Sequence, residues 1–218
     1  MIALENVSKV YETRSGPRVV LDRISLNILP GQRLGVLGCN GAGKSTFIRL
    51  LSGAEYPSSG RIVRNMSVSW PLAFVGGFQG GLTGADNLRF ICRIYDADFE
   101  NALPFVESFS DLGSYFREPY RTYSSGMRSR LAFAVSMAID FDCFLIDEII
   151  AVGDSRFTAK CHHELFTKRA GRAIVLVSHQ TAVIKSICDS AVLLVDGRLH
   201  SFSSMDQAFE CYEHSMSS

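Results

Sequence analysis

Apolar and polar residues alternate along residues 2–11 and again along residues 19–28, the period-two pattern of half-buried strands. Asn27 and the Pro30-Gly31 pair supply turn chemistry at the end of that unit. Residues 33–37 are apolar after Arg33 and read as a buried strand, and residues 46–51 read as the first turns of a helix. A loop is expected at residues 56–60 and another strand at residues 61–69. The pattern then changes. Thr83 stands three places before Asp86, a capping arrangement that predicts a helix through Tyr95. Residues 99–109 and 125–139 carry helical spacing as well. Short apolar runs return at residues 143–146, 173–177 and 192–195. The last of these is joined through Asp196-Gly197, a hairpin signal, to residues 198–202. Met205, Phe209, Tyr212 and Met216 fall on one helical face, which suits core packing more than a partner site. Strands alternating with helices predict the α/β class with a mainly parallel central sheet.

Between the run at 33–37 and the helix at 46–51 lies Gly38-Cys39-Asn40-Gly41-Ala42-Gly43-Lys44-Ser45. It fills every fixed position of the G-x-x-x-x-G-K-[ST] phosphate loop, in the strand–loop–helix context that loop requires. Glycines let successive N–H groups turn inward toward phosphate oxygens, and the helix adds its positive end. Gly38, Asn40, Gly41, Gly43 and Thr46 are therefore candidate phosphate contacts. Lys44 is placed to reach the β- and γ-phosphates, and Ser45 to offer its hydroxyl to Mg²⁺. Cys39 lies inside the loop, where a tolerated small residue with no regulatory role is the plainer reading and a reagent-sensitive thiol that ATP protects is the alternative.

Three later segments extend the chemistry. Residues 144–146 form an apolar strand ending in Asp147-Glu148. Acids there could cap the next helix; beside a phosphate loop, Asp147 suits Mg²⁺ and Glu148 suits an attacking water. His179 follows the apolar run at 173–177, at the sheet edge where ligands collect in such folds, and is a candidate γ-phosphate contact. Tyr123-Ser124-Ser125-Gly126-Met127-Arg128 opens a helix that Ser124 can cap. Its small, N–H-rich start is a second candidate anion cradle, which suggests that two chains share each nucleotide.

Composition narrows the partners. The chain has 218 residues, 22 basic against 22 acidic, with no polybasic tail, which argues against nucleic acid. Six cysteines without a paired C-x-x-C spacing, and no opening targeting stretch, fit a reducing compartment. No apolar run approaches the length of a membrane span. Cys161-His162-His163 diverge around a helix and are expected on an exposed surface.

Taken together, these residues resemble the ATP-binding-cassette family over essentially the whole chain. The resemblance implies an ATPase core of residues 1–80 and 140–218, with an N-terminal antiparallel β region and an inserted helical subdomain, residues 81–139, within one domain. Residues 38–45 match the family's phosphate loop. Ser124 to Met127 resemble its signature sequence, with Ser125 for a usual glycine and Met127 for a usual glutamine. Asp147 and Glu148 match its Mg²⁺ aspartate and catalytic glutamate, and His179 its switch histidine. Ala151-Val152-Gly153-Asp154 resembles its dimer-contact loop, and Tyr11 stands where the family stacks a ring on adenine. Lys44, Glu148 and His179 are thereby expected to be catalytic. Gln79, the candidate glutamine-loop residue and a further Mg²⁺ ligand, departs in lying unusually close to Asn87.

The glycine-rich stretch ending Leu82-Thr83-Gly84, the Tyr-Ser-Ser-Gly-Met signature and residues 147–154 resemble the polysaccharide-exporter branch. That resemblance implies ATP and Mg²⁺ at a homodimer interface, a separate integral membrane permease and a polysaccharide handled only indirectly. It implies a peripheral place on the cytoplasmic face of the inner membrane. Export of capsular polysaccharide is expected, since the extra C-terminal domain of several O-antigen and teichoic acid members does not appear. Those two substrates, or a soluble ATPase of the same family, are the alternatives.

Overall fold

The computed structural model describes residues 1–72, 76–148 and 154–216, without the side chain of Met216. It divides into two compact units. The first contains residues 1–71, 141–149 and 171–218, and the second residues 72–140 and 150–170.

In the first unit, β1 (Ile2–Thr13), β2 (Gly16–Ile28) and β4 (Ser59–Arg64) form an antiparallel sheet in the order β2-β1-β4. A six-stranded sheet also includes β3 (Arg33–Leu37), β5 (Val68–Pro71), β6 (Cys143–Asp147), β7 (Ala173–Val177), β8 (Ser190–Val195) and β9 (Arg198–Ser201). Its order is β5-β6-β7-β3-β8-β9, parallel except for the β8–β9 hairpin. The helix α1 (Lys44–Ser52) buries Phe47, Ile48, Leu50 and Leu51 in one core with residues of both sheets, among them Ile2, Ile28, Val36 and Val175. At about 25 cal/mol per Å² of apolar surface removed from water, such burial is the main term holding the loop before α1 in place. On the other face of β3, a side chain at Gly35 would come within 2.3 Å of Ile184 in α6 (Thr181–Ile187). α7 (Met205–Met216) buries Ala208, Phe209 and Tyr212, as its stripe predicted; the side chain of Met216 lies outside the described residues.

The expected strand at residues 61–69 is two strands in different sheets. β4 finds its partner in β1, and β5 pairs in parallel with β6. The side-chain pattern does not reveal the switch, because a strand's own residues do not name its partner. Tertiary bonds fix it: the Ser67 N–H and hydroxyl donate to Asp142, at 2.9 and 3.0 Å, as the chain crosses. The expected loop at 56–60 ends early, since β4 begins at Ser59, and Asn27 lies inside β2.

The second unit is helical. It contains α2 (Gly84–Ile94), α3 (Phe99–Ser110), α4 (Ser125–Ala138) and α5 (Ser155–His162), with two 3-10 turns before α4 and a π-helical turn at His163–Lys168. Residues 150–170 were expected in the core with 140–218 but group with this unit. The reason is packing: Phe157 meets Phe109 at 5.6 Å between ring centroids, and Lys160 donates to the Phe109 carbonyl at 2.9 Å. The same helix corrects the Cys161 expectation. Its thiol is fully buried while His162 and His163 face solvent, because positions 157, 161, 164 and 165 turn toward the core. No cluster of three metal-ligating side chains occurs among the described residues. No described helix is long and apolar enough to cross a membrane.

Candidate functional site

The loop at 38–43 is shaped by crowding on its inner side. At Gly43, φ is +106°, and a Cβ would meet Leu21 Cδ2 at 2.8 Å and the Val20 carbonyl at 2.9 Å. Only glycine satisfies both conditions. At Gly38 a Cβ would sit 2.6 Å from the Leu194 carbonyl. The turn thus lies hard against β2 and β8 and delivers the chain directly into α1. The first intrahelical bond runs from the Phe47 N–H to the Gly43 carbonyl at 2.9 Å. By helix geometry the N–H groups of Lys44, Ser45 and Thr46 have no intrahelical acceptor, and the helix dipole makes that end positive. The Lys44 ammonium donates to the carbonyls of Gly38 at 2.7 Å and Cys39 at 2.9 Å, folding back across the loop. Asn40 and Gly41 form its exposed tip. This is a cradle of donors around a positive charge, suited to a polyphosphate.

β6 carries Asp147 to its carboxyl end, beside the Ser45 hydroxyl. Desolvation, and then the charge of Glu148, push the Asp147 carboxyl above its ordinary 3.8; Lys44, Arg49 and the Ser45 hydroxyl pull the other way. Its outer edge still reaches solvent. A carboxylate next to a hydroxyl is a donor set that fits a hard divalent cation such as Mg²⁺. A carboxyl whose folded pKa is raised favours the fold below its ordinary value and loses that contribution as pH rises through the raised value. At pH 7 the charge is therefore a cost. Asp147→Asn is expected to raise the thermal midpoint of the ligand-free protein, read by calorimetry, and a lowered midpoint would contradict the account.

Glu148 follows with φ +65°, a left-handed conformation rare outside glycine. Its N–H continues the ladder to the Val177 carbonyl at 2.8 Å, while the turn swings its side chain away from the strand line. His179, two residues past β7, meets it: Nδ1 lies 3.2 Å from Glu148 Oε1. Both side chains are about half exposed, at 51% and 55%, so the pair opens to solvent and to an incoming water. The Tyr212 hydroxyl approaches the His179 carbonyl at 3.5 Å, backing the loop from α7.

Tyr11, near the end of β1, is half-buried, and its hydroxyl donates to Glu55 at 2.5 Å. Arg49 donates to the Tyr11 hydroxyl at 3.3 Å and to Thr46 Oγ1 at 3.2 Å. Tyr11 therefore stands on the Thr46 side of the loop. Arg49 and Glu55 carried no local signal in the sequence; their link to Tyr11 spans 38 and 44 positions.

The remaining candidates lie in the second unit. Ser124 caps α4, accepting from the Met127 N–H at 3.3 Å, and is exposed. A side chain at Gly126 would meet nothing within 4 Å, so this helix start is open. Just before it, Tyr123 is buried with its hydroxyl donating to the Tyr115 carbonyl at 2.7 Å, and desolvation pushes its pKa up to about 12. The short spacing from Gln79 to Asn87 has a physical cause. Asn87 is fully buried, accepts from the Gln79 N–H at 2.7 Å and donates to the Gln79 carbonyl at 3.1 Å and the Thr83 carbonyl at 2.9 Å. Asp154 caps α5 through the Phe157 N–H at 2.9 Å and pairs with Arg130 of α4 at 2.6 Å; the capping bond first, then Arg130, hold its carboxyl below the ordinary range. Ala151, Val152 and Gly153 lie outside the described residues.

Comparison with known proteins agrees with this geometry. The family model described as "ABC transporter" matches residues 21–151. The chain is 58% identical to the capsule polysaccharide export ATP-binding protein CtrD of Neisseria meningitidis serogroup B, over 97% of this chain and 98% of that protein. It is 57% identical to the ATP-binding protein BexA of Haemophilus influenzae, with the same coverage. A dimeric post-hydrolysis structure of the ATP-binding cassette MJ0796 with ADP and Pi has the same fold, with a TM-score of 0.78 over 94% of this chain and 99% of that one, at 20% identity. With a phosphate cradle, a strand-end acid pair and a histidine in one unit, and full-length relatives at this identity, the chain belongs to the ABC transporter family.

Proposed function

We propose that this chain is the ATP-hydrolysing subunit of an exporter of capsular polysaccharide. It would work as a homodimer, peripheral to the cytoplasmic face of the inner membrane and docked on a separate integral membrane permease. The observation that carries the catalytic part is the contact of Glu148 with His179 past the carboxyl ends of β6 and β7, in the sheet whose β3 leads into the Lys44 loop. The substrate follows from the identity to CtrD along the whole chain.

In this reading the N–H groups of Gly38, Asn40, Gly41, Gly43, Lys44, Ser45 and Thr46 hold the phosphates and Lys44 leaves its loop carbonyls for the β- and γ-oxygens. Tyr11 stacks on the base. Glu148 orients an attacking water and accepts its proton, and His179 fixes the Glu148 carboxylate and contacts the γ-phosphate. Ser45 and Asp147 would hold Mg²⁺, which supplies positive charge against the phosphate oxygens. Ser124 and Gly126 close the site from the other copy, and Asp154 contacts across the dimer. Two unlike patches meeting twice is the isologous arrangement of a twofold dimer. ATP bound between them links closure to occupancy. The permease docks along residues 76–93, where Phe90 stands 41% exposed.

Two measurements test this. Asn40→Cys and Ser125→Cys, both exposed positions, are expected to cross-link between chains when a non-hydrolysable ATP analogue and the permease are present. Persistent monomers under those conditions would overturn the shared site. In a capsulated host lacking its own export ATPase, the chain with its permease is expected to restore surface polysaccharide. Polymer retained inside despite active ATPase would overturn the substrate.

A further inference from the structure

Glu55 sits at the centre of a small network that the nucleotide reading leaves unused. Its carboxylate accepts three donors: the Tyr11 hydroxyl at 2.5 Å, Arg49 Nε at 2.5 Å and the Lys9 ammonium at 3.1 Å. Arg49 then spans from the Tyr11 hydroxyl to Thr46 Oγ1 at the start of α1. Lys9 also lies over the Tyr11 ring, 5.0 Å from its centroid, and donates to the Tyr56 carbonyl at 2.9 Å. One edge of the ring is thus tied down and a cation covers one face. The opposite face is where a flat base can stack. The Tyr11 bond, with Lys9 and Arg49 behind it, holds the Glu55 carboxyl below its ordinary 4.5, so it is a carboxylate at neutral pH. The same Tyr11 contact, then Glu55, hold Arg49 charged.

We infer that Glu55 and Arg49 are positioning residues for the base end of the nucleotide site: they fix the Tyr11 ring at a set place relative to Thr46, so that the grip on the purine depends on a carboxylate that never touches it. The inference rests on the nucleotide site proposed above. An exposed ion pair by itself contributes little. A carboxylate with three donors, one of them a phenol, does something different: it removes the ring's freedom before the ligand arrives. A ring left to swing must be immobilised on binding, at a cost that weakens affinity severalfold. The phosphates are held by Lys44 and the loop N–H groups, to which neither Tyr11 nor Glu55 bonds; the network touches the cradle at the Thr46 hydroxyl, through Arg49.

The test compares ATP with tripolyphosphate, which has the phosphates and no base, by calorimetry on the full chain with Mg²⁺. Tyr11→Phe keeps the ring and deletes one oxygen; Glu55→Gln keeps the shape and removes the charge. Each is expected to weaken ATP binding by about 3- to 10-fold and to leave tripolyphosphate within about twofold. The double variant is expected to be no worse than the weaker single, because the two groups act as one unit. Unchanged ATP affinity in Tyr11→Phe would overturn the inference. So would an equal loss for both ligands, which would make the network a structural support only. If Lys44→Ala leaves both ligands bound as before, the nucleotide site itself is wrong, a failure distinct from the others.

Discussion

Glu148→Gln is expected to lower ATP turnover by about 10²–10⁴-fold while ATP affinity stays within about threefold. The amide keeps the shape and the contact with His179 but can no longer accept a proton from water. The backbone explains why the effect should be confined to chemistry. Glu148 is held in a left-handed conformation by its N–H bond to the Val177 carbonyl, so the side chain's direction is set by the main chain and survives the substitution. A variant that binds ATP and barely cleaves it should accumulate as a dimer in ATP and Mg²⁺, seen by size-exclusion with light scattering. Turnover near that of the unaltered chain would remove Glu148 from the mechanism.

Lys44→Ala is expected to act earlier. It should weaken ATP binding by about 10- to 100-fold, since a bond from a charged donor is worth about 1.5–3 kcal/mol and each 1.4 kcal/mol is tenfold. Turnover should fall below detection. Because the ammonium also bonds the carbonyls of Gly38 and Cys39, the loop of the ligand-free variant loses two internal ties. Hydrogen exchange at residues 39–43 should therefore accelerate without nucleotide. The two substitutions separate cleanly. One leaves binding and removes cleavage; the other weakens binding and removes cleavage. Equilibrium titration followed by steady-state turnover distinguishes them, and a fully active Lys44→Ala protein would be irreconcilable with the site.

The chain order alone carried the phosphate loop, the acid pair after β6, the histidine after β7 and the cap at Ser124. These features are local: a strand, a turn and a helix start are written within about a dozen neighbouring residues, and side-chain period announces them. The split of residues 61–69 into β4 and β5 was illegible, because a strand's choice of sheet depends on distant partners, β1 for one and β6 for the other. The grouping of residues 150–170 with the helical unit was likewise decided by packing, of Phe157 and Lys160 against Phe109, and Cys161 is buried one turn after Phe157 on the same helix.

The clearest division lies within the site. Sequence by itself determined which groups can hold phosphate, because glycine spacing and helix starts dictate where N–H groups point. Only the tertiary structure decided that His179 meets Glu148 across 31 positions, that Asn87 clasps Gln79, and that Glu55 and Arg49 reach Tyr11. Those contacts join segments with no common periodicity. The first exists because β6 and β7 are hydrogen-bonded neighbours, the second because Asn87 is fully buried in the helical unit, and the third because α1 is buried between two sheets, facts of burial that no local pattern encodes.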